Sequence, residues 1–439
     1  MPVDLIIGCC KCCTIKCKHY KAVDAERMIF VWETKDWFVS PWNYSDEVTE
    51  GFEYPEKIKI HDVTLRDGEQ QAGLIFNFDQ KLRIAERLAE MGVHRIEAGM
   101  PAVSKTDEKA IKEIVKRNLG PEIFAFGRCM VDDVKRAVDC GVTGIVIEIP
   151  SSEHIIKNAY GWSLEKAINL SIEATQYAKE NNLYTVFFPI DASRANIDWV
   201  INLLERVATE GHMDALALVD TFGGLSPHAI PYLVKKIRER IKKPLEAHFH
   251  NDFGLGTANT LLALASGVEV AHTTISGIGE RCGNTAYEEL VMALLTMYNI
   301  DIGIKYNKIY DTAKMMEEIT GITAPPNRAI IGDGIFHIEA GIIASWFKNC
   351  IDHKPLELFP FKWDLVGQEK PQVVLGKGSG ADSVELWLEK VGRPMKLSRD
   401  DMLKAIYKIK DKAEEKHGLL TEEEFLAIMD SVERESENN

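Results

Sequence analysis

The sequence predicts an α/β protein whose largest part is a closed (β/α)8 barrel, with an N-terminal extension before it and a mostly helical C-terminal region after it. Three observations carry this. Short β-rich runs recur from residue 57 onward, helical patterns lie between them, and the runs number eight before the rhythm stops near residue 300. An open doubly wound sheet is the alternative, but the glycine fingerprint that such a sheet carries after its first strand is missing.

Residues 1–56 show no clear repeat. Cys9, Cys10, Cys12, Cys13 and Cys17 open the chain, and an aromatic stretch follows with Trp32, Trp37, Phe38, Trp42 and Tyr44. This reads as an extension that packs on another surface. The eight β-rich runs are 57–62 (KIKIHD), 94–97 (HRIE), 122–126 (EIFAF), 143–149 (TGIVIEI), 184–188 (YTVFF), 214–219 (DALALV), 245–250 (LEAHFH) and 271–276 (AHTTIS). Between them, 79–91 shows helical spacing at Leu82, Ile84, Leu88 and Met91, and 164–182 and 227–242 behave similarly. The expected organisation is an extension over 1–56, a catalytic barrel over 57–300, a linker or subdomain over 301–395, and a C-terminal helical segment over 396–439. In the last segment Ser398 and Thr421 are expected N-caps of two helices.

Composition sets the class. Of 439 residues, 46% are hydrophobic and 27% charged, enough for a large core. With 52 basic and 67 acidic side chains the net charge is −15, which argues against nucleic acid as a partner. No apolar run approaches the roughly 18 residues of a membrane span, and no secretory signal opens the chain. The nine cysteines do not form a disulfide framework, so a cytoplasmic location is expected. The N-terminal cysteines admit three readings: a metal or cluster site, perhaps with His19, a redox-sensitive tail, or an extension without function.

In such a barrel, function collects at the C-terminal ends of the strands. His248 and His250 lie two apart on the seventh run, so strand alternation puts both imidazoles on one side. They can bind one divalent metal, or be an ordinary hydrogen-bonded pair. Asp67 follows the first run, which is a near neighbour of the seventh across the closure of an eight-stranded barrel. One carboxylate with two imidazoles leaves positions open for substrate, as a catalytic metal needs. The plain alternative for Asp67 is a turn residue before Gly68. Arg66 can stabilise an oxyanion or enolate, or form an ordinary ion pair. Glu97 ends the second run and can steer Arg66. Asn284, in the loop after the eighth run, offers a carbonyl oxygen to a metal or substrate.

The words TLRDGEQQAG (64–73), IEAGMPAVS (96–104), DASR (191–194), DTFGG (220–224), AHFHNDFGLGTANTLLAL (247–264) and GIGERCGNTAYEEL (277–290) carry a resemblance. Their order and spacing resemble the DRE-type TIM-barrel metallolyase superfamily, which includes 2-isopropylmalate, homocitrate and citramalate synthases and 3-hydroxy-3-methylglutaryl-CoA lyase. The resemblance implies Asp67, His248 and His250 as ligands of a divalent Mg, Mn or Zn ion, with Asn284 as a nearby ligand or water-mediated partner. It implies Arg66 as the enolate-stabilising arginine, Glu97 as its acidic companion, and Thr221 as a contact of a substrate carboxylate. It implies an acyltransferase of amino-acid biosynthesis, working as a homodimer on small molecules alone. The implied reaction is a Claisen-type condensation of an acyl-CoA, acetyl-CoA first, with a 2-oxo acid, giving a 2-hydroxy di- or tricarboxylic acid and free CoA. A carbon–carbon lyase on the same metal is the alternative, and a non-catalytic barrel scaffold a more distant one. The loop GIGERCGN resembles the synthase form, with Cys282 read as packing.

The chain departs from the resemblance in two places. Before DASR stand Val186, Phe187 and Phe188, where similar synthases carry polar groups that read the 2-oxo acid. Either the acceptor pocket is more apolar, or Glu148 supplies the polar group. Glu148 is otherwise an ion-paired residue at the rim. The segment FHIEAGII (336–343) resembles HESGIH with isoleucine in place of each histidine, so a base there would have to be His337 or Glu339. No leucine-binding regulatory domain is apparent before residue 439. The run Gly376–Gly380 reads equally as a site for a CoA phosphate and as a turn.

Overall fold

The structure is a computed structural model that describes residues 31–393 and 396–437. The N-terminal cysteines and His19 lie outside the described residues. Eight parallel strands close into a barrel: β1 (Lys59–Asp62), β2 (Arg95–Glu97), β3 (Glu122–Arg128), β4 (Gly144–Pro150), β5 (Tyr184–Ile190), β6 (Ala215–Asp220), β7 (Leu245–Phe249) and β8 (Val270–Thr273). Closure is made by β1 on β8, with His61 opposite His272 and Asp62 opposite Thr273. The expected α/β barrel is the observed fold, with strand ends shifted by one to three residues.

A helix follows each strand: α1 (Phe78–Met91), α2 (Lys105–Arg117), α3 (Val131–Cys140), α4 (Leu164–Glu180), α5 (Ile197–Glu210), α6 (Ala229–Arg240), α7 (Gly256–Ala265) and α8 (Tyr287–Met297). Helix α1 shows why these segments form. Asn77 caps it reciprocally with Gln80, Gly92 ends it in the left-handed region, and Leu82, Ile84, Ala85, Leu88 and Met91 are buried. The strands read as near-continuous apolar runs because both faces are covered. Outward residues such as Ile145, Ile147 and Phe187 join the layer between strands and helices. Inward residues Phe124, Phe126, Val146, Val186, Phe188, Ala215, Ala217 and Val219 form a separate cluster inside the barrel.

Beyond the barrel come α9 (Ile309–Thr320), β9 (His337–Ile338), α10 (Gly341–Cys350), β10 (Gln372–Val373), α11 (Ala381–Lys390), α12 (Arg399–Lys416) and α13 (Glu422–Glu437). Ile331 and Phe336 still pack into the barrel's helix layer, whereas Ile338 begins a second core with Val373, Trp387, Ile409, Phe425 and Met429. Ser398 caps α12 through the Asp401 amide, and Thr421 exchanges bonds with Glu424 at the start of α13. The aromatic arm covers its own chain: Phe38 N donates to Pro360 O at 2.9 Å and Tyr44 to Thr296 O at 2.7 Å. Since that surface belongs to the same molecule, the arm supplies no argument for a dimer. Among the described residues no helix is long and apolar enough to cross a membrane.

Candidate metal centre

Strand alternation aims Glu246, His248 and His250 into the barrel from β7 and its end, and the β1 loop brings Asp67 over them. His248 Nε2 lies 3.5 Å and His250 Nε2 3.8 Å from Asp67 Oδ2, and the two imidazole nitrogens are 3.4 Å apart. Three donor atoms at these separations can share one ion. All three residues are buried. Burial pushes His248 down to about 3, against the pull of Asp67, and lowers His250 as well. Both are therefore neutral imidazoles with a lone pair to offer. Burial alone would raise Asp67, but the Arg66 guanidinium beside it outweighs that and holds the carboxylate well below its usual range.

Asn284 completes the group. Its Nδ2 donates to Asp67 Oδ1 at 2.8 Å, and its own Oδ1 is buried without a hydrogen-bond partner. Two glycines allow this approach. A Cβ on Gly279 would stand 2.3 Å from Asn284 Nδ2, and one on Gly283 would stand 1.8 Å from the Gly277 carbonyl oxygen. Both also adopt positive φ. The orphaned Asn284 oxygen, the neutral imidazoles and the ionised Asp67 fit a divalent cation with nitrogen and oxygen ligands.

Arg66 is locked beside this group. Its Nε donates to Glu97, Nη1 donates to Asp67 at 2.7 Å and Gln70 at 3.2 Å, and its guanidinium lies 3.9 Å from the Phe126 ring centroid. Its Nη2 is buried without a partner. Glu97 is held at about 2: burial would raise it, but Arg66 and then His61 outweigh that. A cavity of about 320 Å³, lined by Leu65, Arg66, Gln70, Leu74, Met100 and Val103, adjoins the guanidinium.

On the far wall, Glu148 stands in register between Arg128 and Phe188. Burial pushes Glu148 up to about 7, with Arg66 and Arg128 pulling it partly back. Of the three apolar residues before DASR, Val186 and Phe188 line the barrel and Phe187 points away. Phe188 meets His248 edge-on at 4.9 Å.

The other sequence candidates lie further out. Thr221 Oγ1 accepts from Asp191 N at 2.8 Å and so ties the β5 and β6 ends together. His337 is on the exposed edge of β9, and Glu339 accepts from Gly378 N at 2.7 Å. Neither is hydrogen-bonded or ion-paired to Arg66, Asp67, His248 or His250. In the glycine run, Gly376 N donates to Ser379 and Gly380 N to Ser383. With Gly378 N bonded to Glu339 and Ser379 N to the Gly376 carbonyl, four of the run's five amides already have partners within the chain.

Sequence reasoning missed the polar layer beneath the metal group. His61, Arg95, Glu246 and His272 are buried inside the barrel. Glu246 was within reach, because it stands two residues before His248 and so shares its face.

The barrel and the converging donors define a (β/α)8 protein whose open end groups side chains that could hold a divalent cation. The HMGL-like family model matches residues 57–316, and the chain belongs to that family. It is 35% identical to the homocitrate synthase AksA of Methanothermobacter thermautotrophicus over 396 residues, covering 90% of this chain and 98% of the relative. It is 41% identical to a putative (R)-citramalate synthase CimA of Archaeoglobus fulgidus, covering 81% of this chain and 71% of the relative. A probable 2-isopropylmalate synthase of Ignicoccus hospitalis is 39% identical, covering 77% of this chain and 84% of the relative. Among solved structures, the HMG-CoA lyase of Bacillus subtilis superposes with a TM-score of 0.56 at 24% identity, covering 62% of this chain and 96% of its own, a likeness of fold.

Proposed function

We propose that the chain catalyses a metal-dependent Claisen-type condensation of an acyl-CoA, acetyl-CoA first, with a 2-oxo acid, releasing free CoA and a 2-hydroxy di- or tricarboxylic acid. The observation that carries this is the convergence of Asp67 Oδ2, His248 Nε2 and His250 Nε2 within 3.8 Å beside Arg66, in a chain whose relatives are named as synthases.

Asp67, His248, His250 and the free Asn284 oxygen would hold the cation. When bound, a divalent ion there would supply Lewis-acid polarisation of the 2-oxo acid carbonyl. The remaining work falls to this chain's own groups. Arg66 presents the unpaired Nη2 to the oxygen of an acyl enolate, and Glu97 with Phe126 keeps it from turning away. The cavity beside Arg66 is apolar on the Leu65, Leu74, Met100 and Val103 side and suits the acyl donor. Glu148 supports two roles: a polar contact for the acceptor, and a carboxyl near neutrality that can hold or pass a proton. Within one chain this makes Glu148 a better-placed proton carrier than His337 or Glu339. Phe188 and Val186 make the acceptor wall apolar, which favours a 2-oxo acid with a short apolar substituent.

The test is a pairwise screen of acyl-CoAs against 2-oxo acids with Mn²⁺, detecting free thiol. Thiol release that needs both substrates and the ion, and that is abolished in Asp67→Ala and His248→Ala proteins of unchanged circular dichroism, is the expected result. Near-native rates in either variant would contradict the ligand roles. Cleavage of a 3-hydroxyacyl-CoA without thiol release would instead indicate a lyase.

A further inference from the structure

One buried cation that the proposed reaction does not use is gripped by two segments that line the cavity beside Arg66. Lys81 lies in the first turn of α1 and is 1% exposed. Its Nζ pairs with Glu69 Oε2 and, at 2.6 Å, with Asp107 Oδ1. Burying an ammonium is costly unless its charge is paired, and neither partner here belongs to α1. Glu69 lies in the loop after β1, two residues beyond Asp67, and Asp107 in the first turn of α2.

Each partner is tied to its own segment. Glu69 Oε1 accepts from Phe76 N at 2.7 Å, which closes the 69–76 segment on itself. The Asp107 amide donates to Ser104 Oγ at 3.0 Å, and its carboxylate accepts from that hydroxyl. Both segments line the cavity, the first with Leu74 and Ile75, the second with Met100 and Val103. Ile75 and Val103 are exposed, so their side chains add little packing that would hold the segments in place. We propose that Lys81 is a positioning residue that sets the width of this cavity. By holding Glu69 and Asp107 on one nitrogen it fixes the separation of the two segments, and with it the length of acyl chain accepted. The metal group is held independently, since Asp67 is bonded by Arg66 and Asn284. Without the ammonium, two carboxylates face each other with no cation between them, and their repulsion drives the segments apart.

The proposal rests on the reading of this cavity as the acyl-donor site, and its test separates the two. Two unreactive thioethers, S-ethyl-CoA and S-butyl-CoA, are titrated calorimetrically into wild type, Lys81→Met and Asp107→Asn. Met removes the charge and keeps the stem. Asn cuts the bridge from the other end, keeps an oxygen for Ser104, and decides the matter if the Met variant fails to fold. Lys81→Met is expected to shift the relative affinity toward S-butyl-CoA by about tenfold, and Asp107→Asn to shift it the same way by less. An unchanged ranking in both variants, or a shift toward S-ethyl-CoA, would overturn the proposal, whatever happens to the melting temperature. A wild type that binds neither thioether would count against the acyl-donor reading, and hydrogen exchange then decides the clamp alone. Exchange of the Phe76 amide in Lys81→Met is expected to rise about 3–10-fold beyond any change in β4 and β5. Acceleration equal to that of β4 and β5, or none, would mark Lys81 as a contributor to global stability only and overturn the proposal.

Discussion

Asn284 donates to Asp67 Oδ1 at 2.8 Å while its own carbonyl oxygen stays buried and unbonded. One side chain thus orients a proposed ligand and offers a further donor atom. Asn284→Ala removes both contributions. Mn²⁺ affinity is expected to fall about 10–100-fold, with a stability change no greater than about 2 kcal/mol. Calorimetric titration beside urea unfolding checks this, and unchanged affinity would refute the role.

Arg66 is held on three sides, so its geometry matters as well as its charge. Arg66→Lys keeps the charge but loses the fork that reaches Glu97, Asp67 and the open Nη2 position together. The expected loss is about 10²–10³-fold in kcat, with Mn²⁺ affinity little changed. Steady-state kinetics and metal titration on the same protein separate these quantities.

Glu148, Asp62 and Glu288 are each pushed up by burial to about 7. Their folded values lie above the unfolded ones, so between the ordinary carboxyl range and pH 7 the unfolded chain has released protons that the folded chain retains. The contribution of these three carboxyls to the stability of the metal-free protein should therefore fall as pH rises through this window and level off above about 7. Below about 6.5 it is opposed by His61 and His248, which burial keeps neutral while the unfolded chain takes up protons. Glu148→Gln should flatten part of the slope and gain, at most, roughly 3 kcal/mol at pH 8. Urea midpoints at pH 5, 6, 7 and 8 measure it. A slope identical to wild type would contradict the burial argument for Glu148.

Phe188 stands in register beside Glu148 and edge-on to His248, on the proposed acceptor wall. Phe188→Ser opens that wall and introduces a hydroxyl. Its acceptor preference should move toward longer or more polar 2-oxo acids, read as a change in relative kcat/KM. The truncation is expected to reduce stability by about 3–5 kcal/mol, followed by thermal melting. An unchanged acceptor ranking would remove Phe188 from the pocket.

Much of the site was legible because strand alternation is a local rule. His248 and His250 had to share a face, and the same rule places Glu246 beneath them. The three residues Val186, Phe187 and Phe188 looked like one apolar block, yet the pleat sends Phe187 to the helix layer and the other two to the lumen. The glycine run 376–380 could not be settled from composition, because which amides remain open depends on Glu339, Ser379 and Ser383 bonding to them. The aromatic arm called for a covering surface, and only the folded chain shows that it lies at Pro360 and Thr296.

The sequence by itself determined the eight-unit barrel, the helix caps at Ser398 and Thr421, and the residue types at the open end, since periodicity and capping act over a few neighbouring residues. Tertiary structure alone decided that Asn284 meets Asp67, that Arg66 keeps one nitrogen free, and that Arg95, Glu246 and His272 line up behind His248. The contacts of Asn284 with Asp67 and of Arg95, Glu246, His272 and His248 with one another join residues 24 to 217 positions apart. They arise from closing β1 onto β8, which forces inward side chains from distant strands into one dry interior where each polar atom must find a partner.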